Sequence, residues 1–194
     1  MPAEKPKERA DAARNRRAIL DATRTLLAEH GAEALTMDRV AAAAGVGKGT
    51  IFHRFGSRSG LLYALVAEPA ETLMAAIASG PPPLGPGAPA PDRLLAFFDA
   101  MTLMMADNVE LMAAYTGSAM PPHPRTAEFH ATWDDHITVL LGEARPDLDA
   151  QAAGRLLFSS VGSEVARAMV RADEVDRLRT AIRQLVESVL RQPL

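Results

Sequence analysis

Apolar residues in the first sixty positions recur at short helical steps. Ile19, Ala22, Leu26 and Leu27 share one face of a helix predicted over about residues 13–30, and Gly31 supplies a left-handed stop that glycine adopts cheaply. Thr36 can accept a free amide as N-cap of a two-turn helix carrying Val40, Ala41 and Ala44, which ends at Gly45. Ile51 and Phe55 lie one turn apart, so a third short helix from about Lys48 to Arg54 buries them and exposes its opposite face. Ser57 can cap a fourth helix with an apolar stripe of Leu61, Leu62, Leu65 and Val66. Pro69 lacks an amide hydrogen and disfavours helical geometry at Glu68, which predicts a kink or break.

The next stretch, GPPPLGPGAPAP at residues 80–91, suits only a semi-extended loop. Asp92 is expected to cap a fifth helix (Leu94, Leu95, Phe97, Phe98, Met101, Met104, Met105), and Asn108 to open a sixth through Leu111, Met112 and Tyr115. Pro121-Pro122-His123-Pro124 breaks the chain. A seventh helix follows over about 125–144 and an eighth over 149–171. Asp173 is expected to cap a ninth, in which Val175, Leu178, Ile182, Leu185 and Val189 form a packing seam. The pattern predicts an all-α protein of about nine helices, divided into residues 1–60 and 61–194.

Composition agrees: apolar residues make up 48% and charged residues 23%, the balance of a folded chain, while aromatics at 5% leave few strand formers. No cysteine is present, which excludes a disulfide framework or a thiolate metal site. No uncharged apolar run approaches the roughly 18 residues of a membrane span, so the chain is expected to be cytoplasmic, with no membrane partner. Charge is uneven. Residues 1–60 hold 11 Lys/Arg against 7 Asp/Glu, and the remainder 10 against 17. A basic bias of this size fits either a solvated face or a nucleic-acid surface. The arm Lys5, Lys7, Arg9, Arg14, Arg16 and Arg17 can neutralise phosphates, or its first ten residues can serve as a solubilising tail.

Two short helices joined through Ala44-Gly45-Val46 predict a helix-turn-helix unit, in which small residues allow close approach and Val46 and Ile51 fix the angle. Such a unit reads DNA through donors near the start of its second helix, where Lys48, Gly49 and Thr50 lie. The run TMDRVAAAAGVGKGTIFHRFGSRSGLL, residues 36–62, resembles the DNA-binding domain of TetR/AcrR-type transcriptional regulators along its whole length. The resemblance implies that Lys48, Thr50, Phe52, His53 and Arg54 face DNA, that Arg58 meets a phosphate, and that Thr36 meets the backbone. Arg54 is the leading candidate for a guanine contact, with a phosphate contact as its alternative; His53 has a solvent-facing alternative. Two residues depart from the family pattern: Gly47 replaces a frequent capping serine, and Phe52 a frequent tyrosine.

The resemblance further implies a larger helical domain that senses a small molecule and dimerises through the eighth and ninth helices, about 149–191. Gly154, Ser159, Gly162, Ser163 and Ala166 permit close helix approach there, although the same stripe could pack within one subunit. Seven of the nine methionines, Met74, Met101, Met104, Met105, Met112, Met120 and Met169, lie in this domain and suit an adaptable apolar pocket or an ordinary core. Candidate cavity residues are Phe98, Met101, Met105, Met112, Tyr115, Trp133 and Met169. The chain is thus expected to be a dimeric repressor without cofactor or enzymatic activity, released from an inverted-repeat DNA operator by a small-molecule effector of unknown identity. Two alternatives stand beside it: an effector-independent DNA-binding protein, and a helical-bundle metal-binding protein or enzyme. The latter would use His130, Asp134 and Glu164, with His123 and His136 nearby in sequence.

Overall fold

The computed structural model describes residues 6–116 and 123–191. Among them the regular elements are ten helices: α1 (Pro6–His30), α2 (Met37–Ala44), α3 (Lys48–Phe55), α4 (Arg58–Ser79), α5 (Ala90–Asp107), α6 (Val109–Thr116), α7 (Pro124–Ala144), α8 (Ala150–Val161), α9 (Glu164–Arg171) and α10 (Val175–Leu190). Lys5, Met120, Pro121 and Pro122 lie outside the described residues, as do the side chains of Lys7 and Arg9. The chain forms two compact units. One comprises Met1–Ala67 with Glu110–His123, the other Glu68–Val109 with Pro124–Leu194.

In the first unit the caps predicted from sequence are in place. The Thr36 hydroxyl accepts the Arg39 N–H at 3.2 Å, and Gly45 takes a φ of +65° after α2. Val46 N–H then bonds Ala41 O at 3.0 Å, so two otherwise orphaned carbonyl-end positions are closed by one left-handed residue. Ile19, Leu27, Leu35, Val40, Ile51, Leu61, Leu62 and Leu65 are buried. Two arginines tie the helices: Arg58 donates to Leu35 O (3.2 Å) and Ala32 O (2.9 Å), and the Arg16 guanidinium lies 5.8 Å from the Phe55 ring centre.

Three boundaries differ from the sequence reading. α1 begins at Pro6, well before residue 13, because KERADAARNRR consists largely of good helix formers and proline is tolerated at the first helical position. α4 continues through Pro69 to Ser79 without a break. Buried Leu65, Ala70, Leu73 and Ile77 hold it on both sides of the proline, outweighing one missing hydrogen bond. α4 is also long and apolar enough by composition to cross a membrane, but half of its most apolar window is buried within the protein, as in a core helix. The predicted eighth helix divides at Gly162, where the Ser163 hydroxyl caps α9 by accepting the Ala166 N–H at 3.0 Å.

The aspartate caps expected for the fifth and ninth helices are absent. α5 starts after Pro89, leaving Asp92 in its first turn, where its charge favours the helix dipole. Asp173 sits at a φ of +60° behind α9, and α10 follows Glu174 with no side-chain cap.

In the second unit α5 packs on α10 and α7, and α7 on α8. Leu94, Phe97, Phe98 and Met101 face Ile137, Leu140 and Leu141 of α7 and Leu178, Ile182 and Val186 of α10 as one buried apolar set. Gly154 permits the α7–α8 approach: a Cβ there would stand 2.9 Å from Ile137 Cγ2. Two bidentate arginine–carboxylate pairs reinforce the unit, Arg179–Asp99 (2.9 and 3.0 Å) and Arg145–Asp147 (both 2.7 Å). Hydrogen bonding to Asp147 raises the Arg145 pKa, and the same bond lowers that of Asp147. Arg145 also donates to the carbonyls of Val189 and Arg191, fastening the end of α10.

Candidate nucleic-acid interface

Helix α3 buries very little of itself. Ile51 is fully inside and Phe55 partly so, while Lys48, Gly49, Thr50, Phe52, His53 and Arg54 are exposed. A helix kept in place by one buried residue and its flanking turns leaves an almost complete face open to a partner. That face carries Lys48, His53 and Arg54 and no acidic residue. Arg54 has no hydrogen-bond or ion-pair partner among the described residues.

Gly47 precedes α3 with an extended backbone (φ −69°, ψ 142°) and no side-chain cap, so the amides of the first turn have no side-chain oxygen competing for them. Uncapped helix-start amides and the positive dipole end together favour a phosphate. Phe52 is 43% exposed, an unusual position for a large apolar ring in this unit, and it stands beside the polar face.

The other predicted contacts are divided. Thr36 is exposed and its hydroxyl caps α2 while retaining its own proton to donate. Lys48 Nζ pairs with Asp38 at 2.8 Å, a partner the sequence reading missed because no local spacing links positions 38 and 48. Arg58 is half-buried, and its Nε and one Nη already serve the turn between α1 and α2.

The candidate cavity residues separate as well. Phe98, Met101, Met105, Trp133 and Met169 belong to the second unit, Met112 and Tyr115 to the first. Trp133 is buried with Phe129 and Phe158, each with ring centres 6.0 Å away, and Phe98 meets Phe97 edge-on at 5.5 Å. The Tyr115 hydroxyl accepts the His123 N–H at 2.8 Å, and the His123 ring stacks on Tyr63 at 3.8 Å.

Residues offered for a metal have other partners. Asp134 pairs with Arg155 at 3.1 Å, and Glu164 with Arg167 at 2.7 Å, a hydrogen bond that lowers the Glu164 pKa. His130 lies against Trp133 and Phe158, and burial lowers its pKa. Among the described residues no group of three or more acidic or histidine side chains is arranged to hold a metal ion.

The geometry agrees with comparisons to known proteins. Residues 19–65, which span α1 to α4 across the helix-turn-helix, match the family model described as bacterial regulatory proteins, tetR family. The HTH-type transcriptional repressor LfrR of Mycolicibacterium smegmatis is 31% identical over 175 residues, covering 87% of this chain and 88% of that repressor. The HTH-type transcriptional repressor Rv1474c of Mycobacterium tuberculosis is 43% identical over 67 residues, covering 34% of this chain and 35% of its own length. In three dimensions, SCO4454, a TetR-family transcriptional regulator from Streptomyces coelicolor, superposes with a TM-score of 0.70 at 20% identity, over 92% of this chain and 95% of the other. An open, acid-free α3 on a Gly45 turn and a match running through nearly the whole of a repressor lead to one conclusion: the chain belongs to the TetR family, whose members are DNA-binding transcriptional regulators rather than enzymes.

Proposed function

We propose that the protein is a dimeric repressor that leaves a palindromic operator when a small molecule binds. Residues 1–60 act as the DNA-binding domain and residues 61–194 as the sensing and dimerising domain. The observation that carries this reading is the α3 face: exposed Lys48, Gly49, Thr50, Phe52, His53 and Arg54 on a helix anchored by Ile51. A helix of this kind enters the major groove, where Arg54 can donate two bonds to a guanine edge. The uncapped start of α3, with Lys48, Thr50 and Thr36, holds flanking phosphates and sets the register. Arg58 supports the site by fixing the α1–α2 turn, and the N–H groups that the turn does not use are available to a phosphate.

Apolar side chains left outside on the last three helices support dimerisation. Leu156 of α8 is 73% exposed, Val165 of α9 70% and Leu185 of the α10 seam 49%, whereas Leu178 and Ile182 of that seam, with Val186 beside it, are spent inside the subunit. A two-fold pair would place its α3 helices in successive major grooves, so the operator is an inverted repeat with half-sites roughly 34–36 Å apart. An effector that binds better when the reading helices are misplaced weakens DNA affinity by that difference in binding energy. α4 is the covalent route, since its residues belong in turn to both units. A protein acting on DNA in this way is expected to work in the cytoplasm.

Selection of duplexes from a random pool by the purified protein tests the reading. An inverted repeat is expected, with a double Leu156→Glu, Leu185→Glu variant sedimenting as monomer and losing the repeat. Recovery of direct repeats or of no motif would overturn it.

A further inference from the structure

Buried polar atoms in folded proteins nearly always have a hydrogen-bond partner, and three on the packed helices α5 and α7 do not. Trp133, only 5% exposed, buries its indole Nε1–H; His136, one turn along α7, buries Nε2; and Arg93 on α5 buries Nε, each with no partner among the described residues. They lie on two helices that pack together, Arg93 on α5 and Trp133 and His136 one turn apart on α7. Arg93 and Phe97 are one turn apart on α5, and the His136 ring meets the Phe97 ring edge-on at 5.2 Å. Burial lowers the His136 pKa first and the Arg93 charge second, so the guanidinium is near enough for its field to act on the imidazole.

Arg93 also differs from the other guanidinium groups that hold this unit together. Arg145 and Arg179 are each clasped bidentately by a carboxylate, whereas Arg93 has no ion pair with a described residue. Its Nε–H is stranded inside while the rest of the half-buried guanidinium keeps its charge uncompensated by any described carboxylate of the unit. Ring contacts surround the place: Phe129, Phe158 and His130 all lie within 6.0 Å of the Trp133 ring centre, measured between centroids.

We propose that Arg93, Trp133 and His136 form the head-group subsite for an organic carboxylate whose apolar body lies among Phe97, Phe129 and Phe158. This rests on the effector reading above and names the class of molecule sensed. A carboxylate accepts only, so it suits an indole N–H and a guanidinium N–H together. The neutral imidazole supplies a third N–H in one tautomer. One guanidinium balances one negative charge; a phosphomonoester would bring nearly two and leave the excess buried.

Trp133 is the only tryptophan in the chain, so its emission reports on the subsite directly. The probes are benzoate, 4-phenylbutyrate and octanoate, each compared with its primary amide, titrated into the full-length protein without DNA. At least one carboxylate should change the emission saturably and bind roughly tenfold or more tightly than its amide. Arg93→Met and Arg93→Gln should both abolish that preference, while the melting temperature of either variant without probe stays the same or rises. The inference is overturned if no carboxylate is preferred over its amide, if either variant keeps the preference, or if both variants melt several degrees lower. Because DNA is absent from the titration, failure here leaves operator binding standing, and failure to bind an operator leaves this result standing.

Discussion

On α3 the polar side chains stand in water and a single residue, Ile51, is fully inside; on α5 and α7 the polar atoms of Arg93, Trp133 and His136 are the ones inside, among aromatic rings. The first arrangement leaves donors in water for a large charged partner that arrives from outside, with Lys48 held meanwhile by an exposed pair to Asp38. The second holds one nitrogen of each side chain out of water, without a partner among the described residues, where a small acceptor could satisfy it. Exposed donors cost the fold little and give weak individual contacts, whereas buried ones cost more and discriminate more sharply. One chain thus carries two ways of being ready for a partner, and substitutions can separate them.

The largest expected effect tests how thinly α3 is anchored. Ile51→Ala removes the helix's one fully buried side chain and should cost roughly 2–5 kcal/mol in urea unfolding. DNA binding should fall with it. A cost below about 1 kcal/mol would mean that α3 is held by something other than this side chain.

Arg54→Ala should leave unfolding unchanged but relax base selection at one position in each half-site, worth about 1–3 kcal/mol of discrimination. An unaltered motif in pool selection, with affinity lowered evenly across sequences, would reassign Arg54 to a phosphate. Gly45→Ala tests the turn between the two regions of the helix-turn-helix. Open space surrounds the position, so the penalty is the φ of +65° alone, about 1 kcal/mol in the same unfolding assay.

The smallest effect belongs to the second unit. Burial lowers the pKa of His136, so the folded protein takes up a proton less readily than the unfolded chain does. Stability from this residue is complete above the ordinary histidine value of 6.5 and declines as pH falls toward the lowered value. His136→Asn should flatten the fall in unfolding free energy between about pH 7 and 5, with DNA affinity at pH 7.5 untouched. An unchanged slope would place the titration elsewhere, with His130, whose pKa burial also lowers, as the first alternative.

Sequence disclosed the two regions unequally, for a physical reason. The helix-turn-helix depends on local chemistry: Thr36 capping α2, Gly45 turning left-handed and Ile51 facing inward are all settled within a few residues of chain. Its long-range ties, Lys48 to Asp38 and Arg58 to Ala32 and Leu35, had no such signature. In the second unit the periodic apolar stripes placed the helices, but which polar atoms are stranded inside depends on packing between α5 and α7. In the sequence nothing distinguishes Arg93 from a surface arginine in a first helical turn. The continuity of α4 through Pro69 escaped for the same reason, since buried residues on both sides decide it rather than the proline itself.

The claim on which the rest depends is that the α3 face reads a duplex. Fluorescence anisotropy of the full-length protein at about 150 mM salt, with the selected inverted repeat and a scrambled duplex of equal composition, tests it directly. The account predicts a preference for the repeat of roughly a thousandfold or more, lost when Lys48, Thr50 and Arg54 are replaced together by alanine. Equal affinity for the two duplexes, or a preference that survives the triple replacement, would contradict it.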